Sequence, residues 1–214
     1  MIKIGIELNH VIRNVNKQIL KYYQKDVDPS IDLDEIDEKD DVFKYAKFDT
    51  LTDRNEFIYI DYPYEIFGAA KSMSKDLPML LNNWLSDLTN YEEDDVEISF
   101  FSLNEEALTI QSSYFFLSKI GTRVRKIIFP KSIDKILNEY DVVIAGSKET
   151  LDYFAENENN SYIIGISNNV NKDCKVDKKY DSLDDAIKDN ELLETLQNFV
   201  NNKNNKEIND GESI

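Results

Sequence analysis

Five short runs rich in β-branched and aromatic residues, separated by stretches with helical spacing, most constrain how this chain folds. The runs cover residues 2–8, 96–102, 123–129, 141–145 and 162–167. Between them, Ala107, Ile110, Tyr114 and Leu117 recur at helical spacing before Gly121, and Pro130 precedes Ile133, Ile136, Leu137 and Tyr140. Ser147 is placed to cap a helix through Phe154. Ser182, with Asp185 three residues on, resembles a capping box for a last helix running to residue 200. Strands alternating with helices predict an α/β fold with a parallel sheet between two helical layers, a three-layer Rossmann-like core.

The interval between the first two runs is too long for one crossover. Val15, Ile19, Tyr22 and Tyr23 predict one helix there, and Leu77, Leu80, Leu81, Trp84, Leu85 and Leu88 predict another. The expected organisation is a core of residues 1–14 and 96–200, a helical insertion over 15–95, and a polar tail over 201–214. With 41% hydrophobic residues, including 11 Phe, 12 Tyr and one Trp, the chain has the material for a substantial core.

Net charge is −17. That weighs against nucleic-acid binding, where phosphates reward a basic surface, and against docking on anionic membranes. It suits solubility or a basic partner surface. A single cysteine, Cys174, rules out an intrachain disulfide; together with the lack of a long apolar span or signal-like start, it points to a reducing intracellular compartment. One His and one Cys cannot build a Ser-His-Asp, Cys-His or zinc constellation. Residues 26–41 hold nine acids and one Lys, but Asp32 and Asp34 are not followed by the Gly and Glu of a calcium loop, so a solvated edge is expected. Lys119, Arg123, Arg125, Lys126 and Lys131 form a local basic cluster, read as a solvated strand start or a site for phosphate or an acidic neighbour.

The first run ends Glu7-Leu8-Asn9-His10-Val11. An apolar strand ending in acid-x-acid-Gly-Val opens the haloacid dehalogenase-like (HAD) phosphohydrolases, and this segment resembles that motif with its chemistry altered. In that family the first acid is the nucleophile, the second is the general acid/base, and the first acid helps hold Mg²⁺. Here the positions carry Glu7 and Asn9, with His10 in place of Gly. A carboxamide cannot exchange a proton near neutral pH, a loss of about 10²–10⁴-fold. The longer arm of Glu7 displaces the attacking oxygens, and about 1 Å of misplacement costs about 10²-fold. The only histidine, His10, is expected to be a partly buried loop residue.

By the same resemblance, Ser102 stands where phosphate is bound, and Lys119 and Lys131 are both candidates for the lysine beside it. The acid expected after the fourth strand is missing from Ala145-Gly146-Ser147, with Glu149 further on and Asp141 at the strand's other end. An insertion after the first strand is where the family carries its helical C1-type cap. Tyr62-Pro63-Tyr64-Glu65-Ile66-Phe67-Gly68 and Phe115-Phe116-Leu117-Ser118-Lys119 resemble the small 5′-nucleotidase-like proteins of tailed bacteriophages. The resemblance implies a catalytically degenerate HAD-like chain, without a catalytic residue, metal or cofactor. It would act in a larger assembly of protein chains, such as a virion's portal and tail region. The alternatives are a Mg²⁺-dependent nucleotide or sugar-phosphate 5′-phosphatase, and a phosphate- or nucleotide-binding protein without turnover. Tyr59, Tyr62, Tyr64 and Phe67 read first as aromatics joining the insertion to the core; they are also candidate interface anchors, since Tyr is enriched at such positions, or, in an enzyme, rings that stack on a nucleoside base.

Overall fold

A computed structural model describes residues 1–89, 96–124 and 126–198 of the chain. Six strands form one parallel sheet: β1 (Ile2–Glu7), β4 (Val96–Phe101), β5 (Lys126–Ile128), β6 (Val142–Ala145), β7 (Tyr162–Ile166) and β8 (Lys178–Tyr180). Their order across the sheet is β5-β4-β1-β6-β7-β8, with every pairing parallel. The chain runs outward from β1 to β5, then crosses back to start the other half at β6.

Side chains alternate across the strands, so β4, β5, β6 and β7 each feed two cores. Ile2, Ile4, Ile6, Val142 and Ile144 face a cluster that includes Leu81 and Trp84 of α3 (Leu77–Thr89), Phe116 of α4 (Ala107–Ile120) and Leu183 of α6 (Leu183–Lys188). Val143 and Ala145 face the other way, onto Leu151 and Phe154 of α5 (Lys148–Glu156) and onto Tyr140. Helices on both faces give the three layers that the alternation predicts. Burial pushes the Tyr140 hydroxyl up to about 12.

The long interval after β1 folds around its own apolar cluster. That cluster joins Val15, Ile19 and Tyr23 of α1 (Val15–Asp26) to Phe57, Ile66 and Phe67. A short antiparallel ribbon, β2 (Arg13–Asn14) against β3 (Lys71–Ser72), closes the base of this unit. The expected insertion over 15–95 is therefore divided by packing: α3 buries Leu77, Leu81, Trp84, Leu85 and Leu88 against the sheet. Within the insertion, Thr50 and Asp53 form a capping box that opens α2 (Leu51–Glu56). The backbone then widens into two π-helical turns, Phe57–Asp61 and Tyr64–Gly68, closed by bonds from Tyr62 N to Phe57 O and from Ala69 N to Tyr64 O.

Four sequence expectations change. The stretch after Pro130 forms only a 3₁₀ turn, Ile133–Lys135, and Asn138 takes a left-handed φ of 66° that stops a longer helix. The last helix is broken at Asp189, whose carboxylate leaves the helical path to meet Lys178 at 2.8 Å and Tyr180 at 2.6 Å; a second helical stretch covers 190–198. The Lys178 contact comes first in holding the Asp189 carboxyl down to about 2. Strand β8, Lys-Lys-Tyr in sequence, is an edge strand too short and polar to show a pattern.

The fourth change concerns α4. It ends at Gly121 as expected, at a left-handed φ of 67°. Its buried face, however, carries Thr109, Ser112, Ser113, Phe116 and Leu117, while Ala107 and Tyr114 point outward. The hydroxyls face inward because that side of the helix meets a polar network. Arg125, within the expected strand 123–129, and residue 200 and the tail over 201–214 lie outside the described residues.

Candidate functional site

In an open parallel sheet, ligands bind beyond the carboxyl ends of the strands at the point where the strand order reverses. Here that point lies between β1 and β6, and the last residue of β1 is Glu7. Its side chain is buried. One carboxylate oxygen accepts from the backbone N–H groups of Gly146 at 2.8 Å and Ser147 at 2.9 Å. The other accepts from Ser147 Oγ at 2.6 Å and Thr150 Oγ1 at 3.2 Å. Glu7 therefore sits on the N-terminus of α5, where unpaired amides and the helix dipole favour an anion. The anion-binding position of the crevice holds one of the protein's own carboxylates.

Gly146 permits this contact. A Cβ there would lie 2.9 Å from the His10 carbonyl oxygen and 3.0 Å from its Cβ, so only glycine lets the β1 loop and the α5 N-terminus meet. His10 is half-buried in the loop after β1, as expected, and takes a left-handed φ of 67°, which was not. Burial lowers its imidazole pKa, Glu7 opposes that shift, and Arg13 adds to it. Asn171, fully buried, donates to Gly146 O at 2.8 Å and Ile166 O at 2.7 Å, tying the loop after β7 to the same turn.

A second buried carboxylate lies beyond β4. Glu105 accepts from Arg13 Nη2 at 2.6 Å, from Ser102 Oγ at 2.6 Å, and from Ser113 Oγ. Arg13 is completely buried between the rings of Phe67 and Phe116, with its guanidinium carbon 4.9 and 5.5 Å from their centroids. It also donates to Phe67 O and to Asn9 Oδ1, the latter from Nε at 2.9 Å and Nη2 at 2.6 Å. Burial lowers the Arg13 pKa, with Glu105 opposing. Asn9 completes the network by donating to Ser102 Oγ at 3.1 Å.

The predicted site residues separate accordingly. Glu7, Asn9 and Ser102 come together at the strand ends, each with its polar atoms engaged by neighbours. Lys119 does not join them: its ammonium donates to Gly68 O at 3.0 Å and to Ala70 O, and burial lowers its pKa. Lys131 is on the surface. Of the basic cluster, Arg123 donates to Ser86 at 3.2 Å and Lys126 pairs with Glu97 at 2.6 Å, so both brace α3 and the sheet. Arg13, Glu105 and Ser113 were not singled out by sequence. The available signal was Arg13 itself, a lone cation among Val11, Ile12 and Val15.

The residues at the strand ends do not fit the Mg²⁺ that the alternative phosphatase reading requires. Both Glu7 oxygens are taken by four donors, position 9 is an amide, and the turn after β6 offers Gly146. Asp141 instead accepts from Lys3 N at 2.8 Å, at the amino ends of β1 and β6, the opposite end of the strands. Among the described residues, no three His, Cys, Asp or Glu side chains converge as metal ligands, and no helix is long and apolar enough to cross a membrane.

The insertion's acidic loop covers the crevice. Asn169 donates from its backbone to Lys39 O at 2.9 Å and from its side chain to Asp40 at 2.8 Å and Asp37 at 3.2 Å, while Asn14 holds Glu38 at 3.1 Å. Beneath the loop lies a cleft of about 350 Å³ lined by His10, Lys39, Met73, Ser74 and Asn168. The interface candidates in the insertion are unequal. Phe67 is buried on Arg13, Tyr59 stacks on Phe67 at 5.6 Å, and Tyr62 donates to Asp26 at 2.7 Å, leaving Tyr64 as the exposed ring.

The sequence matches no protein-family model and no curated protein, so the geometry of these two buried carboxylates carries the functional argument.

Proposed function

We propose that this chain is a catalytically silent HAD-like protein that serves as a structural or assembly component by binding other protein chains. The observation that carries the reading is the Glu7 carboxylate, held by Gly146, Ser147 and Thr150 in the position where a substrate anion would bind. A nucleophile engaged by four donors and beside an amide at position 9 has neither a free oxygen nor a proton acceptor to work with. Ser102 is in the same condition, donating to Glu105 and accepting from Asn9. The strand order around β1 and the long insertion behind it support the HAD-like part of the reading. The phage-protein resemblance at residues 62–68 and 115–119 supports a virion as the setting.

The test is an assay of Mg²⁺-dependent hydrolysis of p-nitrophenyl phosphate and 5′-nucleotides by the full chain. The expected result is no rate above the blank and no rise in melting temperature with millimolar phosphate, since a ligand that binds the native state raises it by mass action. Hydrolysis that disappears in Glu7→Gln overturns the reading. Its assembly part is tested by mass spectrometry of purified particles from the source, where a fixed ratio to the other structural chains is expected.

A further inference from the structure

The outward face of α4 is unusual for a surface helix in so charged a chain. Ala107, Leu108, Gln111, Tyr114, Phe115, Ser118 and Lys119 are exposed along it, and Lys119 is the one charged residue among them. A solvent-facing helix surface ordinarily carries charged and polar groups. The helix contains no acid, and the ammonium of its single cation, Lys119, is engaged at the edge of the face by the carbonyls of Gly68 and Ala70. Leu108, Tyr114 and Phe115 stay 54%, 53% and 47% exposed, and the insertion extends the patch through Tyr64, 50% exposed, whose ring lies 5.3 Å from that of Phe115. Tyr114 meets Phe129 edge-on at 5.7 Å, so the aromatic rings are braced rather than loose.

Acids border this patch. Asp61 and Glu65 flank Tyr64, and Glu106 precedes the first turn of α4. An apolar, aromatic centre with a charged rim is the anatomy of a protein-binding surface. A second copy of this chain is a poor occupant, because each copy brings a net charge of −17 and like charges oppose association. We infer that the outward face of α4, together with Tyr64, binds a segment of a different protein that presents apolar side chains between basic ones, as an amphipathic helix does. The inference rests on the non-catalytic reading for its biological sense, but the surface exists whether or not the crevice turns over substrate.

The experiment titrates the full chain with a fluorescein-labelled amphipathic Leu/Lys peptide and with a Leu/Glu peptide of the same length and apolar face. The Lys peptide is expected to bind and the Glu peptide to fail. The charge-neutral pair Leu108→Ser with Phe115→Ser should weaken binding by about tenfold or more, the size of effect typical of central aromatic anchors. Tyr64→Ser, on the other side of the patch, should weaken it in the same direction without altering α4. Asp61→Asn with Glu65→Gln should flatten the salt dependence of binding. Melting curves are expected to coincide for all variants, since every substituted side chain is exposed or half-exposed.

Binding that is unchanged by both the Leu108/Phe115 pair and Tyr64→Ser overturns the inference, because general acidity would then explain it. A wild-type chain that sediments as a dimer and becomes monomeric in those variants overturns it as well, with a second copy as the occupant. Phosphomonoester hydrolysis measured in parallel would remove the silent-enzyme reading and leave this surface untouched. Loss of patch-dependent binding would do the reverse.

Discussion

Glu7 and Glu105 stand beyond neighbouring strands, with 4% and 3% of their surfaces exposed, and yet they are held in different ways. Among the described residues, no cation is hydrogen-bonded to Glu7. Two backbone amides, two hydroxyls and the α5 dipole solvate it. Glu105 is paired with a buried arginine, and that pair is locked to Ser102, Ser113, Asn9 and the Phe67 carbonyl. The first arrangement holds one loop to one helix. The second joins β1, β4, α4 and the insertion at a single point. Dipoles can stabilise a lone charge locally, but a buried ion pair makes every partner depend on the other, because removing one leaves an uncompensated charge.

That dependence sets the largest expected effect. Glu105→Ala leaves the Arg13 guanidinium buried without its counter-ion and should cost about 3–5 kcal/mol in urea unfolding. Arg13→Met with Glu105→Leu should recover much of that loss, because an apolar pair of similar volume is often tolerated in place of a buried ion pair. Glu7→Gln removes a charge but strands none, and should cost about 1–3 kcal/mol, because the amide nitrogen opposes two of the existing donors. A Glu7→Gln loss equal to that of Glu105→Ala would break the comparison. Gly146→Ala should cost about 1–3 kcal/mol by pressing a methyl group onto the His10 backbone.

The smallest effect sharpens the electrostatic side. Burial keeps the folded-state pKa of His10 below the ordinary value of about 6.5. As the pH falls past 6.5 the unfolded chain takes up a proton first, so this contribution to stability is complete above about 6.5 and declines as the pH drops toward the folded pKa. His10→Asn tolerates the same left-handed backbone and should flatten that part of the stability curve relative to wild type. As the only histidine, His10 gives a single imidazole NMR signal, whose midpoint should fall below 6.5.

Much of the architecture was legible in sequence. Runs such as Tyr162-Ile163-Ile164 and Val142-Val143-Ile144 read as strands because a parallel sheet buried on both faces needs apolar side chains at nearly every position. Ser147 and Gly121 marked helix ends because caps act within one turn of backbone. The face of α4 was misread because apolar periodicity assumes that the inward side is the apolar one. Here Ser113 faces inward to meet Arg13 and Glu105, and Tyr114 is left outside.

By itself the sequence determined the alternation of strands and helices, the carboxylate at the end of β1, the amide at position 9 and the absence of an acid after Ala145. Tertiary structure alone decided that Glu7 caps α5, that Arg13 reaches Glu105 across 92 positions, that Lys119 faces the insertion and that α3 belongs to the sheet. The division has a physical cause. Backbone propensity and capping act over a few residues and leave local marks in the chain. Charge pairing and burial are settled by whichever groups the folded chain brings within about 3 Å of one another, and no local pattern records that choice.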